Sequence, residues 1–378
     1  MTDEATEPGQ AEIQAATTRL ESAAAPPDSA APPVPAAPPV PPVETTRRLI
    51  GASFDLLNKS TDEMRRASFY IGIVILGTVG PLALASWALE VVSLHKTNAQ
   101  LESTLEAGAD AWLGVLSSIA VAGLLVAAVE SRTMASAILG GRLVGRPISV
   151  KGSLARSRMS FWRVVIGSFI VAIPVAVAQF VLSTLFQAIL GRQTDVSVVS
   201  TTLTAALVGA PFAYVLSGIV LGDVDPLEAT RRSFRVFRAR KMAAAVVAVF
   251  ETAATVLVVV GLVTGLDLAV RIFGALGLGA NSGPAGLTLM TIGIMAGVFA
   301  LGTLVYTAYA IAVAPQIVMF VGLTRATFGL DHVRPGGDRD PAMMRTGRRR
   351  FRWLTIPMLI AFAVGLIGLG AFLVVLAD

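Results

Sequence analysis

Residues 222–247 read GDVDPLEATRRSFRVFRARKMAAAVV, and the junction inside this stretch decides the architecture. Its first half has the composition of a water-facing helix crowded with arginine. Its second half enters an apolar run with nothing to break the chain between them. Six basic residues, Arg231, Arg232, Arg235, Arg238, Arg240 and Lys241, stand directly against lipid-compatible sequence. This is the pattern of a helix that lies on a membrane face and feeds a transmembrane helix. Asp225-Pro226-Leu227-Glu228 spells a helix start: Asp225 caps, Pro226 suits the first helical position, and Glu228 reaches back to complete a capping box. Helical spacing puts Leu227, Thr230, Phe234 and Phe237 along one face and fans the arginines over the rest. Arginine stems can lie along the acyl boundary while the guanidinium groups reach lipid phosphates. Each basic residue near an anionic leaflet contributes about 1 kcal/mol. The six are therefore expected to bind anionic headgroups as well as to fix topology.

Working outward, 54% of the 378 residues are hydrophobic and 15% are charged, with mean hydropathy +0.72. A soluble chain of this length cannot hide so much apolar surface. Several apolar runs exceed the roughly 18 residues that mark a spanning helix, and they are continuous rather than alternating, which excludes a membrane β-barrel. The expected fold is all-α: a polytopic transmembrane helical bundle of about seven spans, with amphipathic interface helices on the cytoplasmic side. The spans are read at 68–94, 111–130, 161–190, 198–221, 242–266, 285–323 and 353–376, with a loop carrying Glu102, Glu106 and Asp110 between the first two. Alternating the connections between two sides leaves all but three of the 30 lysines and arginines on one side, the exceptions being Lys96, Arg192 and Arg271. Cytoplasmic loops carry the Lys/Arg excess. The N-terminus is thus expected inside and Asp378 outside.

Residues 1–46 hold half of the chain's 20 prolines amid Ala, Ser and Glu, the composition of a disordered tail. Its APPVPAAPPVPPV stretch favours extended polyproline conformations and is a possible docking segment for a protein partner. Residues 47–335 form the helical membrane domain, and 336–378 a basic loop with the last span. Within the domain, Thr45 and Thr46 are placed to cap a helix that begins RRLIGASFDLLNK, with Leu49, Ile50, Ser53, Phe54 and Leu57 on one face. Ser53-Phe54-Asp55-Leu56-Leu57 echoes Ser233-Phe234-Arg235-Val236-Phe237, and both precede a span. The spacing predicts a weak internal repeat of interface helix, span, outward link and span.

The string DPLEATRRSFRVFRARKMAAAVV resembles the signature segment of the membrane domain associated with bacterial glycerophosphoryl diester phosphodiesterases and of its stand-alone relatives. In that family an acidic residue leads an Ala-x-x-x-Ser-aromatic helix rich in arginine, positions held here by Asp225, Ala229, Ser233 and Phe234. The later VAPQIVMFVGLTRATFGLD is similar to the family's closing pattern, with Leu323, Arg325, Gly329 and Asp331 in place, and departs from it where a tyrosine is expected near Phe320. The resemblance covers about residues 47–335. It implies a bacterial cytoplasmic membrane and a stand-alone membrane domain without the catalytic barrel, a domain with no established chemistry of its own.

Such a barrel needs roughly 250 residues and a cluster of His and acidic ligands. This chain has two histidines, His95 and His332, expected on opposite sides of the membrane, and no cysteine. The sequence is read as non-enzymatic, with no metal, no cofactor and no nucleic-acid partner expected. Ionisable residues inside spans are functional candidates by default. Glu251, about nine residues or ~13 Å into the fifth span, is the clearest: a carboxylate facing either a cavity or a neighbouring helix. Glu130 is expected at a membrane face, Asp267 and Arg271 as a local pair, and Gln179 and Gln316 as interhelical hydrogen-bonders. Gly261-x-x-x-Gly265 and Gly293-x-x-x-Gly297 are expected to let helices approach closely. Two functions compete. One is a non-enzymatic membrane module, a scaffold or a binder of lipids or partners. The other is a permease for a lipid-like or amphiphilic solute, favoured by the prolines within spans and the hydroxyl-rich fourth span.

Overall fold

The computed structural model describes residues 45–95, 99–190, 195–275 and 284–328. Helices make up nearly all of it, and no strand occurs among the described residues. In chain order they are α1 (Leu49–Lys59), α2 (Thr61–His95), α3 (Ala99–Leu143), α4 (Val150–Leu190), α5 (Asp195–Gly209), a 3-10 turn at Ala210–Phe212, α6 (Val215–Gly222), α7 (Pro226–Ala239), α8 (Lys241–Ala275) and α9 (Pro284–Phe328). Residues 102–110, expected in a loop, are helical within α3.

Five stretches are long and apolar enough to cross a membrane: Thr61–Leu89, Trp112–Leu143, Val150–Ile189, Ser200–Gly222 and Thr288–Ala326. They coincide with five of the seven expected spans. The expected span at 242–266 is helical within α8, while the one at 353–376 lies outside the described residues, as do the proline-rich tail, His332, Gly329 and Asp331. Much of the outward surface of the long helices is apolar. Along α4, Trp162, Ile166, Phe169, Ile173, Val177 and Phe180 recur at helical spacing and are all more than half exposed. A face of that kind is unfavourable in water and suits hydrocarbon. At 1.5 Å per residue, the 45 residues of α3 and of α9 extend ~68 Å, against a hydrocarbon core of ~30 Å. Both helices are therefore longer than one crossing requires. Pro315 lies within α9 without ending it.

The internal repeat is visible in the helix bounds. Adding 180 to the bounds of α2 gives those of α8, and each is 35 residues long. The following helices, α3 and α9, are both 45 residues long. The same shift carries Leu49, Ser53 and Leu56, the buried residues of α1, onto Ala229, Ser233 and Val236, the buried residues of α7. Single residues, Ser60 and Arg240, join these short helices to the long ones. The inward faces differ from those expected. Phe54 and Leu227 point outward, and Ile50 and Phe234 are partly exposed. In α7 the small Ala229 and Ser233 are what let it approach its neighbours: Ala229 lies over Gly218 of α6. Larger apolar groups are left for the rim.

Helix starts also differ. Asp225 occupies the cap position of α7 and Pro226 the first turn, but Asp225 makes no side-chain cap bond, and Glu228 accepts from Arg232 instead of reaching back. At α1 the first turn is closed by the Thr45 carbonyl, which accepts from the amides of Arg48 and Leu49 at 2.8 and 3.1 Å, rather than by a threonine hydroxyl. The expected close-packing glycines Gly261, Gly265 and Gly297 have no atom within 4 Å of where a Cβ would lie. Close approach occurs between α2 and α9 instead, where a Cβ on Gly302 would stand 2.7 Å from the Gly72 Cα.

The ends of the bundle that carry the arginines are tied by those arginines. Arg142 donates to the Lys59 carbonyl at 2.6 Å, and Arg156 donates through Nε and Nη2 to the Val220 carbonyl at 3.0 and 2.8 Å. The last carbonyls of a helix lack partners within it, and a cation there also meets the negative end of the helix dipole. Asp223, in the left-handed conformation at φ 52°, ends α6 and receives Arg163 at 2.9 Å and Arg156 at 3.3 Å.

Candidate functional site

The fourth span is not continuous. Pro211 has no amide hydrogen to give, so the helix tightens to a 3-10 turn at Ala210–Phe212 and resumes at Val215. Ser233 of α7 repairs the gap: its hydroxyl donates to the Pro211 carbonyl at 2.7 Å and accepts from the Tyr214 amide at 3.2 Å. Phe234 meets Phe212 edge to face with ring centroids 5.2 Å apart. The arginine helix is thereby bonded to the break in a span.

Beside that break lies a cleft of about 220 Å³ between α4, α5 and α8. Apolar side chains, among them Val175, Ala206 and Leu216, form most of its wall, and Gln179, Thr202 and Thr252 add polar groups. Its charges are Arg132, from α3, and Glu251, from α8. They form an ion pair, and Gln316 of α9 donates its amide to the other carboxylate oxygen. Both charged side chains remain about a quarter open, at 24% and 23% exposure. The Nε of Arg132 and the amide oxygen of Gln316 are buried without a hydrogen-bond partner among the described residues. Glu251, singled out from sequence, is thus at the cleft. Gln179 lines it, and Gln316 bonds across helices as expected.

Sequence reasoning missed a second buried charged cluster. Glu130, expected at a membrane face, is fully buried: Arg158 donates to it at 3.1 Å and Tyr70 at 3.2 Å, while Arg158 also reaches the Tyr70 hydroxyl at 2.9 Å. The reason lies in α4, which is helical from Val150 on and so carries Arg156 and Arg158 into the bundle rather than along a loop. Ser153, Ser157 and Ser160 line the same buried side. This run of small hydroxyls at helical spacing was the available signal that the basic segment has an inward face. The two clusters occupy matching levels of the repeat: Tyr70 with Glu130 bridges α2 to α3, and Glu251 with Gln316 bridges α8 to α9.

The six surface cations fall into two groups. Arg231 stands 4.0 Å and Arg232 3.1 Å from Glu228, on the exposed face of α7 in the first case and partly covered in the second. Arg235, Arg238, Arg240 and Lys241 are exposed. Leu227 and Met242, 69% and 74% exposed, share this outer surface. Asp267 lies outside the described side chains, so its pairing with Arg271 is not placed. No protein family, curated protein or solved structure matches this chain.

Proposed function

We propose that this chain is a non-enzymatic integral membrane module that binds a lipid-like amphiphile. The observation that carries the reading is the Arg132–Glu251 pair, partly open to a cleft beside a broken span. Ion pairs are costly to place among apolar helices and mark binding sites more often than they add stability. A cleft of about 220 Å³ is below the range that encloses a whole drug-sized ligand, so it suits the head of a molecule whose tail stays in the bilayer. The exposed Leu203 and Leu207, beside the cleft residues Thr202 and Ala206, offer that tail an apolar path. Around this site, the arginine face of α7 rests on anionic headgroups of a bacterial cytoplasmic membrane, with the N-terminus inside and the C-terminus outside. The motif resemblance to the glycerophosphodiesterase-associated membrane domain accords with a module of this kind.

The test is lipid retention. Protein purified in mild detergent should carry a stoichiometric lipid by mass spectrometry, and Ala206→Phe, which fills the cleft, should lose it. Equal retention by the variant removes the cleft from the reading. A second reading, a permease for the same amphiphile, is favoured by the break at Ala210–Phe212, since discontinuous helices flank transport sites. Saturable flux in liposomes, lost in both Glu251→Gln and Glu251→Ala, would establish it. Binding without flux leaves the module reading.

A further inference from the structure

We infer that the cleft selects a zwitterionic head over an anionic one, an inference that rests on the amphiphile-binding reading above. The argument is electroneutrality. Arg132 and Glu251 are the charged residues of the cleft wall, and they neutralise each other. Neither the Glu130–Arg158 pair, which faces Tyr70, nor Asp223 with Arg156 and Arg163 lines the cleft. A head with net charge would enter a low-dielectric space that already sums to zero and would remain uncompensated. A head carrying both signs meets a complementary pair instead. Its anionic part lies against the Arg132 side chain, which is 24% exposed and lines the cleft. Its cationic part lies against the Glu251 carboxylate, whose oxygens each have room for a further hydrogen bond beyond those from Arg132 and Gln316. Neither contact requires the Arg132–Glu251 bond to break. This selectivity is opposite to that of the outer arginine face, where Arg235, Arg238, Arg240 and Lys241 are exposed beside the Glu228 pairs and favour anions.

The experiment uses the full chain in detergent and two short-chain soluble probes, dihexanoyl phosphatidylethanolamine, whose ammonium can donate to the Glu251 carboxylate, and dihexanoyl phosphatidylglycerol. Binding is read by calorimetry, and only the share that Ala206→Phe abolishes is assigned to the cleft, so that surface binding is set aside. The wild type should favour the zwitterion by about tenfold or more. Glu251→Gln leaves Arg132 alone and should reverse the order. Arg132→Gln with Glu251→Gln, which keeps the site neutral, should discriminate between the probes far less. A wild type that prefers the anion, or a Glu251→Gln variant that keeps the wild-type order, overturns the inference while leaving the cleft as a binding site. Binding of neither probe to the wild-type cleft overturns both.

Discussion

At the scale of single residues, the Glu130–Arg158–Tyr70 cluster is the most exacting part of the interior. With side-chain exposures of 0% and 4%, neither Glu130 nor Arg158 can turn to solvent if its partner is lost. Removing one member of a buried pair leaves an unpaired charge, at a cost of about 3–5 kcal/mol. Arg158→Ala should therefore lower unfolding stability in detergent by that order. Tyr70→Phe removes one hydroxyl and should cost about 1–3 kcal/mol. A Glu130→Gln, Arg158→Met double variant, which retains bulk without charge, should recover much of the loss. If the double variant is no better than Arg158→Ala, the charges are not what the interior depends on. Glu251 could be picked out of the sequence because it stands alone in an apolar run. Arg132 could not be assigned to it, since 119 positions separate them and the arginine reads equally well as a topology signal. The burial of Glu130 was hidden for the same reason: its partner is the side chain of an arginine in a segment that looks like a loop.

At the scale of elements, glycine and serine positions decide how helices meet. A methyl added at Gly302 would press on the Gly72 backbone, which has no flexible side chain to yield. Gly302→Ala should cost about 1–3 kcal/mol through overpacking. Gly261→Ala and Gly265→Ala face open space and should be neutral or gain up to about 1 kcal/mol from helix propensity. Parallel melts of the three variants check this; equal losses at all three would mean that the Gly72–Gly302 crossing is not the tight one. Ser233→Ala should cost about 1–3 kcal/mol, because it leaves the Pro211 carbonyl and the Tyr214 amide unpaired at the break. Five long apolar helices were legible from run length, and the short helices α1 and α7 from charge clustering and helical spacing. The crossing was not, because G-x-x-x-G spacing says that a face is small and leaves open what, if anything, lies against it. The break was hinted at by Pro211, but so were Pro81, Pro174 and Pro315, each of which lies inside an uninterrupted helix. What separates them is a serine on another helix.

For the whole molecule, the gathering of Arg142, Arg156, Arg163 and the arginines of α7 around the ends of α1 and α6 fits the charge asymmetry of the sequence. The side of the membrane is a separate matter, and the lack of native cysteine makes it easy to probe. In right-side-out vesicles, a thiol at Asp225→Cys should react with an impermeant maleimide only after permeabilisation, and one at Arg192→Cys before it. The reverse pattern would invert the proposed topology. The repeat was faintly audible in Ser53-Phe54 and Ser233-Phe234. Only the matched helix lengths, 35 with 35 and 45 with 45, show that it extends through two long helices.

Those one-residue joints at Ser60 and Arg240 leave no slack. If α7 rests on a leaflet as proposed, rocking it as the leaflet thins or its charge changes would pass straight to α8, with the short helix as the short arm of a lever. On α7 the same motion tugs, through Ser233 and Phe234, on the turn that floors the cleft. Two glycines inserted after Arg240 would cut that linkage to α8 while leaving every side chain of the cleft in place.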